Sequence, residues 1–254
     1  MMKKNYPRRS RSEQIVYGVH SVTEAMNSGK DIEKVIIQNN LQGEWIPGLR
    51  KVLNEREIPM QFLPAEAMNR IVQGNHQGIA AFLSPIQYQD IESIIPWIYE
   101  AGSVPLILVL DRITDVRNMG AIARTAECCG VDALVIPARG SAQINSDAIK
   151  TSSGALLNIP VVRSMNLKTT INYLKQSGLK IIAATEKSDK PLWNFDFTEP
   201  VALILGAEDT GVSPEYLKLC DGVGMIPMQG QLASLNVSVA AGMFLYEVTR
   251  QRKV

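Results

Sequence analysis

The sequence predicts an α/β protein in which helices cover both faces of a parallel sheet, with a smaller α/β domain preceding it. From residue 104 onward, short apolar, β-branched runs alternate with helical stretches. Such runs are typical of parallel strands that are buried on both faces. A similar alternation on a smaller scale occupies residues 13–84. Because ligands of open α/β sheets bind at the carboxyl ends of the strands, the loops there are the first candidates for a functional site.

The chain begins with a basic arm, residues 1–12, in which Lys and Arg side chains occur without any acidic residue. This composition suits binding to phosphates, or describes a solvated terminus that has no partner. The small domain follows at residues 13–84 and is predicted as a three-layer sandwich. Its predicted helices lie at 20–27, 48–55 and 65–72, and its strands at 34–37, 60–63 and 78–83.

A linker is predicted at residues 85–103, where Pro85, Pro96 and Gly102 interrupt the pattern around one short helix at 91–99. The large domain occupies residues 104–254. Its predicted strands lie at 106–110, 133–136, 161–163, 180–184, 201–205 and 223–226. Its predicted helices lie at 118–129, 146–153, 167–177, 214–219 and 236–250.

The composition is that of an ordinary globular protein, with 46% hydrophobic and 20% charged residues among 254. The longest apolar run, 104–110, is too short to cross a bilayer and no signal peptide opens the chain, so a cytoplasmic protein without a membrane partner is expected. Three cysteines and two histidines lack metal-ligand spacing, so no metal site is expected.

Three loops at predicted strand ends have unusual compositions: 111–120, 206–213 and 226–236. None of them matches a standard nucleotide-binding motif, since 206–213 lacks the Lys-Ser/Thr of a P-loop. In the third loop, Ser234 and Asn236 precede a long helix, where helix capping is an alternative to ligand binding.

Within these loops, the segments 118–121 with 124–126, 206–208 with Gly211, and 226–228 with 234–238 stand in this order. They resemble the motifs of the SpoU (TrmH-type) RNA 2′-O-ribose methyltransferases of the SPOUT superfamily. The resemblance covers residues 104–251, with Val116 at a position where the family usually has proline.

The upstream domain is similar to the family's substrate-binding domain, which is related to the L30e and L7Ae folds, through residues 17–20 and 76–79. Residues 141–145 and 244–247 resemble the branch that methylates a guanosine in the peptidyl-transferase region of 23S rRNA.

The resemblance implies a C-terminal trefoil knot that includes residues 226–250, although knots are essentially absent from other folds. It also implies S-adenosylmethionine as the cofactor, RNA as the partner, and a homodimer with both active sites near the interface. An apolar stripe along the last helix, residues 237–248, is compatible with such an interface.

The resemblance further assigns site residues. Those implied for cofactor binding are Gly206, Ile226 and Leu235, with Thr185 and Met228 as neighbours, although Ile226 and Leu235 are equally compatible with core packing. Those implied for the reaction are Arg124, Asn118, Glu208, Ser234 and Asn236.

Individual roles follow from chemistry. Arginine is rarely deprotonated, so Arg124 is expected to clamp a phosphate and stabilise the developing alkoxide, unless it forms a surface ion pair. Asn118 would orient the ribose hydroxyl or cap its helix, and Glu208 would hold Arg124 or order its loop. Ser234 and Asn236 would bind substrate or fix the loop.

The expected function is S-adenosylmethionine-dependent methylation of a ribose 2′-hydroxyl, on a guanosine of 23S rRNA. A tRNA guanosine 2′-O-methyltransferase and a non-catalytic RNA-binding protein remain as alternatives, although the intact Arg124, Glu208 and Asn236 argue against the second of these.

Overall fold

The computed structural model describes residues 15–56, 58–232 and 234–252, so the predicted basic arm lies outside the described residues. The chain divides into two compact units, the first ending at Pro85 and the second beginning at Ile86.

The first unit is a four-stranded mixed sheet with helices on both faces. Its elements are β1 (Ile15–Tyr17), α1 (Val19–Asn27), β2 (Ile32–Gln38), α2 (Ile46–Glu55), β3 (Met60–Leu63), α3 (Ala65–Ile71) and β4 (Ile79–Leu83). The strand order is β1-β4-β2-β3, in which β2 and β3 are parallel and the other neighbours are antiparallel.

Alternate residues of β2 point to opposite faces of this sheet, as the pleat requires. Val35 and Ile37 pack with Val22 of α1 and Leu53 of α2. On the other face, Ile36 packs with Met68 of α3 and with Ala80 and Val72. The three-layer arrangement that was predicted for residues 13–84 is therefore present.

The second unit contains the remaining strands and helices. They are α4 (Ile91–Glu100), β5 (Leu106–Leu110), α5 (Val116–Cys128), β6 (Ala133–Pro137), α6 (Ser146–Thr151), β7 (Val161–Ser164), α7 (Leu167–Gln176), β8 (Lys180–Ala184), β9 (Val201–Leu205), α8 (Pro214–Leu217), β10 (Gly222–Gly224) and α9 (Val237–Arg252). Single 3₁₀ turns lie at Ala155–Leu157 and Leu192–Asn194.

Six parallel strands form the sheet of the second unit, in the order β10-β8-β9-β5-β6-β7. The central strands β5 and β9 are buried along their whole length, which explains their uninterrupted apolar sequences. The predicted parallel sheet covered on both faces is thereby confirmed, with one large apolar cluster on each face. The carboxyl ends of all six strands lie at one edge, because the strands are parallel.

Several boundaries differ from those predicted. The segment predicted as a linker carries α4, whose residues Ile91, Ile94, Ile95 and Ile98 are buried in the core of the second unit. Helix α5 begins at Val116 rather than at residue 118, because the side chain of Asp115 accepts a hydrogen bond from the backbone N–H of Arg117 and caps the helix. The idea that Asn118 caps this helix is therefore wrong.

Helix α9 ends with a clasp formed by Arg252. Its guanidinium donates hydrogen bonds to four backbone carbonyls, those of Val104, Pro105, Phe197 and Glu199, at 2.8–3.0 Å. Hydrogen bonds from a charged donor are stronger than neutral ones. The clasp therefore ties the end of α9 to the segments that lead into β5 and β9.

No helix in the described residues is long and apolar enough to cross a membrane. The same residues contain no group of three or more His, Cys, Asp or Glu side chains that is arranged to hold a metal ion.

Candidate functional site

The carboxylate of Glu208 joins three segments at the carboxyl edge of the large sheet. Asn118, in the first turn of α5, donates from Nδ2 to Glu208 Oε1 at 2.5 Å. Asn236, immediately before α9, donates from Nδ2 to the same oxygen at 2.8 Å and to Oδ1 of Asn118 at 3.1 Å. We call these three residues the Glu208 cluster. It brings the loops after β5, β9 and β10 together.

Helix capping fixes the orientation of the Asn236 amide. Its Oδ1 accepts hydrogen bonds from the backbone N–H and the hydroxyl of Ser238, at 2.9 and 2.5 Å. An amide has one acceptor end and one donor end, so Nδ2 must point away from the helix, toward Glu208. Asn236 therefore both caps α9, as the sequence suggested, and takes part in the Glu208 cluster.

A buried carboxylate, Asp111, holds the loop after β9 in place. The residue is 1% exposed, and its Oδ2 accepts hydrogen bonds from the N–H and the hydroxyl of Ser213, both at 2.7 Å. Arg112 donates to Asp111 at 3.0 and 3.3 Å and to the carbonyl of Gly211 at 3.0 Å. The hydrogen bond to Asp111 raises the pKa of Arg112, and the nearby charges of Asp111 and Asp209 raise it further. Arg112 is thus fixed as a cation.

Arg112 adopts a left-handed backbone conformation, with φ of 59°, which is unusual for a residue with a side chain. Such conformations cost about 1–3 kcal/mol and persist where neighbouring contacts enforce them. The three hydrogen bonds of its guanidinium supply that enforcement. Neither Asp111 nor Arg112 was predicted as a site residue, although the position of Asp111 directly after a buried strand is a signal that the sequence contains.

A pocket of about 280 Å³ lies beside the Glu208 cluster, and we call it the inner pocket. It is formed by the ends of β8 and β9, the loop after β10 and the start of α9. All five residues that were predicted for cofactor binding line it, and so does Ser234: the residues are Thr185, Gly206, Ile226, Met228, Leu235 and Ser234. Glu186 and Phe244, which were not predicted, also line it.

A second pocket, of about 450 Å³, shares a wall with the inner pocket through Ala207, Glu208, Asp209 and Val237. We call it the charged pocket, because Arg112, Asp115, Glu208 and Asp209 all line it. Asn118 lies in its wall as well. The Glu208 cluster therefore stands between two cavities.

Arg124 lines neither pocket and does not belong to the Glu208 cluster, whereas Asn236, which also lines neither pocket, reaches the site through Glu208. At about 100° per residue, six residues along α5 place it about 120° around the helix from Asn118. Arg124 is exposed, and within the described part of the chain its side chain makes no hydrogen bond or ion pair. Within one chain Glu208 does not hold Arg124. Its Oε1 accepts hydrogen bonds from Asn118 and Asn236, so it orders its loop, which is the other role that the sequence left open. The alternative of a surface ion pair for Arg124 is not found among the described residues either.

The residues around the inner pocket fit a bent cofactor with an adenine ring and a methionine part. Its volume is near the lower end of the roughly 300–1,000 Å³ that is usual for ligand sites. Ile226, Leu235 and Phe244 are apolar residues of its lining, and Thr185, Glu186 and Ser234 are polar ones. Gly206 is required by the wall itself, since a Cβ there would lie 2.1 Å from the backbone of Gly211 and Val212.

Comparison with known families agrees with this site. Residues 105–246 match the SpoU rRNA Methylase family, and residues 15–89 match the RNA 2′-O ribose methyltransferase substrate-binding family. The chain belongs to the SpoU rRNA methylase family. It is an RNA 2′-O-ribose methyltransferase of the TrmH/SpoU type, which confirms the class of enzyme predicted from the sequence.

Individual relatives cover nearly the whole chain. A protein of Staphylococcus saprophyticus assigned to the TrmH family of tRNA/rRNA methyltransferases is 35% identical over 240 residues, which are 94% of this chain and 96% of the relative. A Staphylococcus aureus protein with the same assignment is 33% identical over 238 residues, again 94% and 96% of the two chains.

Solved structures show the same fold. The SpoU methyltransferase AviRb from Streptomyces viridochromogenes, in complex with the cofactor AdoMet, has a TM-score of 0.61 and 25% identity, covering 95% of this chain and 91% of that one. The TrmH/SpoU tRNA modifying enzyme of A. aeolicus has a TM-score of 0.55 and 32% identity, covering 64% and 84%. S-adenosylmethionine (AdoMet) is the cofactor of the family, as predicted.

Replacing Gly206 by alanine tests the inner pocket. The added methyl group would displace Gly211 and Val212, so the affinity for S-adenosylmethionine should fall by at least about tenfold, a change that corresponds to about 1.4 kcal/mol. Gly230→Ala is the matched control, since a Cβ at Gly230 meets nothing within 4 Å. Isothermal titration calorimetry measures both. Equal affinities for the two variants and the wild type would contradict the assignment of this pocket.

Proposed function

We propose that this protein methylates the ribose 2′-hydroxyl of a guanosine in 23S rRNA, as the branch represented by RlmB does, and that it acts in the cytoplasm. The observation that carries the reaction is the Glu208 cluster, which stands between a pocket suited to the cofactor and a second pocket open to a substrate. The resemblance of residues 141–145 and 244–247 to that branch supports the choice of RNA.

We propose that the cofactor occupies the inner pocket, against the backbone of Gly206, Ile226 and Leu235 and beside Thr185 and Met228. When bound, S-adenosylmethionine supplies an electrophilic methyl group. The protein must hold the acceptor hydroxyl in line with that group and keep the geometry fixed, because positioning contributes much of the rate of such transfers.

The Glu208 cluster is suited to orient this hydroxyl. Oε1 of Glu208 already accepts two hydrogen bonds, from Asn118 and Asn236. Its Oε2 makes no hydrogen bond to a described residue, so it is available to accept one from the ribose hydroxyl. Asn118 lies in the wall of the charged pocket, where it can contact the substrate, and Ser234 lies in the wall of the inner pocket, beside the cofactor.

We propose further that a second copy of the chain supplies Arg124. Within one chain, Arg124 lies on a different side of α5 from Asn118 and lines neither pocket. Helix α9, which packs against α5, exposes three large apolar side chains at i, i+4 and i+7: Val239, Met243 and Tyr246 are 51%, 42% and 66% exposed. This stripe is suited to a homodimer interface. Arg124 of the partner would then bind a phosphate beside the acceptor and stabilise the developing alkoxide. The hydroxyl proton passes to a solvent molecule or to that phosphate as the methyl group leaves the sulfonium of the cofactor.

Two further features belong to the proposal. We propose that the segment after β10 forms a trefoil knot, which is supported by its return from the edge strand β10 to Asn118 and Glu208.

We also propose that the first unit is an L30e/L7Ae-like domain that binds the RNA, with the basic arm contacting phosphates. The match of residues 15–89 to a substrate-binding family supports this assignment.

The function itself is tested by mapping 2′-O-methyl groups in rRNA and tRNA from cells with and without the gene. We expect one guanosine of 23S rRNA to lose its methyl group in the deletion strain and to regain it on complementation. Restoration must fail with the Glu208→Ala variant. If the deletion strain instead lacks a methyl group in a tRNA, the substrate is that tRNA and the proposed rRNA substrate is wrong. If methylation of both rRNA and tRNA is unchanged, the proposed function is contradicted.

Mixing two inactive variants tests the shared site. We expect Arg124→Ala and Glu208→Ala each to transfer little tritium from labelled cofactor to RNA. After the two are unfolded and refolded together, about half of the dimers are mixed, and each mixed dimer has one site of two with both wild-type residues. Activity should therefore return to about a quarter of the wild-type value. If each site were built from a single chain, the mixture would stay inactive. A sedimentation experiment that finds only monomers would also refute this arrangement.

A further inference from the structure

The charged pocket has the size and position of a site for the nucleotide that is methylated. Its volume of about 450 Å³ lies in the range of small-molecule sites. Glu208 and Asn118 form part of its wall, so a ribose at its mouth would lie beside the Glu208 cluster and next to the inner pocket. Enzymes that do chemistry on a base take it out of the stack into a snug pocket, and the same movement would bring a base into this one.

The charges in this pocket restrict what it can hold. Three carboxylates, those of Asp115, Glu208 and Asp209, surround it with one guanidinium, that of Arg112. Such a pocket repels phosphate groups, which are the parts of RNA that proteins usually bind with Lys and Arg. It favours instead an uncharged group that is rich in hydrogen-bond donors.

Asp115 and Glu208 already have structural roles, whereas Asp209 and Arg112 are the two charged groups whose unused hydrogen-bonding capacity is left for a base. Asp115 caps α5 and Glu208 is held by two amides. Asp209 is exposed, and among the described residues its carboxylate accepts only a 3.3 Å hydrogen bond from the hydroxyl of Thr210. Arg112 uses Nε and Nη2 for Asp111 and Gly211, and its Nη1 makes no hydrogen bond to a described residue.

We propose that the charged pocket receives the base of the acceptor nucleotide and that Asp209 and Arg112 select guanine, an inference that rests on the proposed function. Guanine offers N1–H and the N2 amino group to one carboxylate and offers O6 as an acceptor to Arg112. Adenine and cytosine present an acceptor where guanine presents N1–H, and uracil lacks the exocyclic amine. Arg112 and Asp209 both line this pocket, and they are near enough for the charge of Asp209 to act on Arg112.

The test uses a synthetic RNA that carries the nucleotide identified by the mapping experiment, prepared once with guanosine and once with inosine at that position. Inosine lacks only the N2 amino group. With saturating cofactor, we expect the wild-type kcat/KM to be about 10–100-fold lower for the inosine RNA. For Asp209→Asn, the guanosine RNA should lose a similar factor and the ratio between the two RNAs should approach one. This ratio does not depend on cofactor affinity, because each enzyme is compared with itself.

Asp189→Asn is the matched control, since it removes the same charge from an exposed residue in the loop after β8, outside both pockets. It should keep the wild-type ratio. Two outcomes would overturn the role of Asp209 without affecting methyl transfer. One is an acceptor nucleotide other than guanosine. The other is an Asp209→Asn enzyme that still discriminates against inosine as the wild type does. A wild-type protein that transfers no methyl group to either RNA overturns the proposed function as well.

Discussion

The site depends on one shared acceptor, the Oε1 atom of Glu208, which receives hydrogen bonds from Asn118 and Asn236. Asn118, Glu208 and Asn236 lie in segments that follow three different strands, β5, β9 and β10. A single carboxylate therefore determines how the three segments meet. At an exposed position such bonds contribute only about 1 kcal/mol each to global stability. Their effect is therefore local: they order the wall between the two pockets. The hydrogen bonds of the buried Asp111 contribute more to stability, because a buried carboxylate without partners would be costly.

Much of the architecture could be predicted from the sequence because its signals are local. The buried strands β5 and β9 are recognisable as apolar runs. The loops that form the inner pocket follow strand ends, where α/β folds bind ligands. The sequence pattern predicts that α5 begins at Asn118. The helix begins two residues earlier, at Val116, because Asp115 caps it. The prolines of segment 85–103 predict a linker, yet Ile91 and Ile95 are buried, because α4 packs into the core of the second unit.

What the sequence could not provide is long-range pairing. The family resemblance implied that Arg124, Glu208 and Asn236 act in one site. Along α5, however, Arg124 lies about a third of a turn around the helix from Asn118. The contacts of Asp111 with Ser213, and of Arg112 with Gly211, join residues about a hundred positions apart. No periodicity encodes such contacts. The left-handed conformation of Arg112 likewise becomes visible only in the folded chain.

Hydrogen exchange in a Glu208→Ala variant measures most directly whether this carboxylate holds the three loops together. We expect the amides of residues 117–120, 206–213 and 234–238 to exchange about fivefold to tenfold faster, in all three segments at once, since each loses a bond of about 1 kcal/mol. Glu186→Ala, which removes an exposed carboxylate from the wall of the inner pocket, should leave residues 117–120 unchanged. Faster exchange confined to residues 206–213 would show that the loops are ordered independently and would contradict the account.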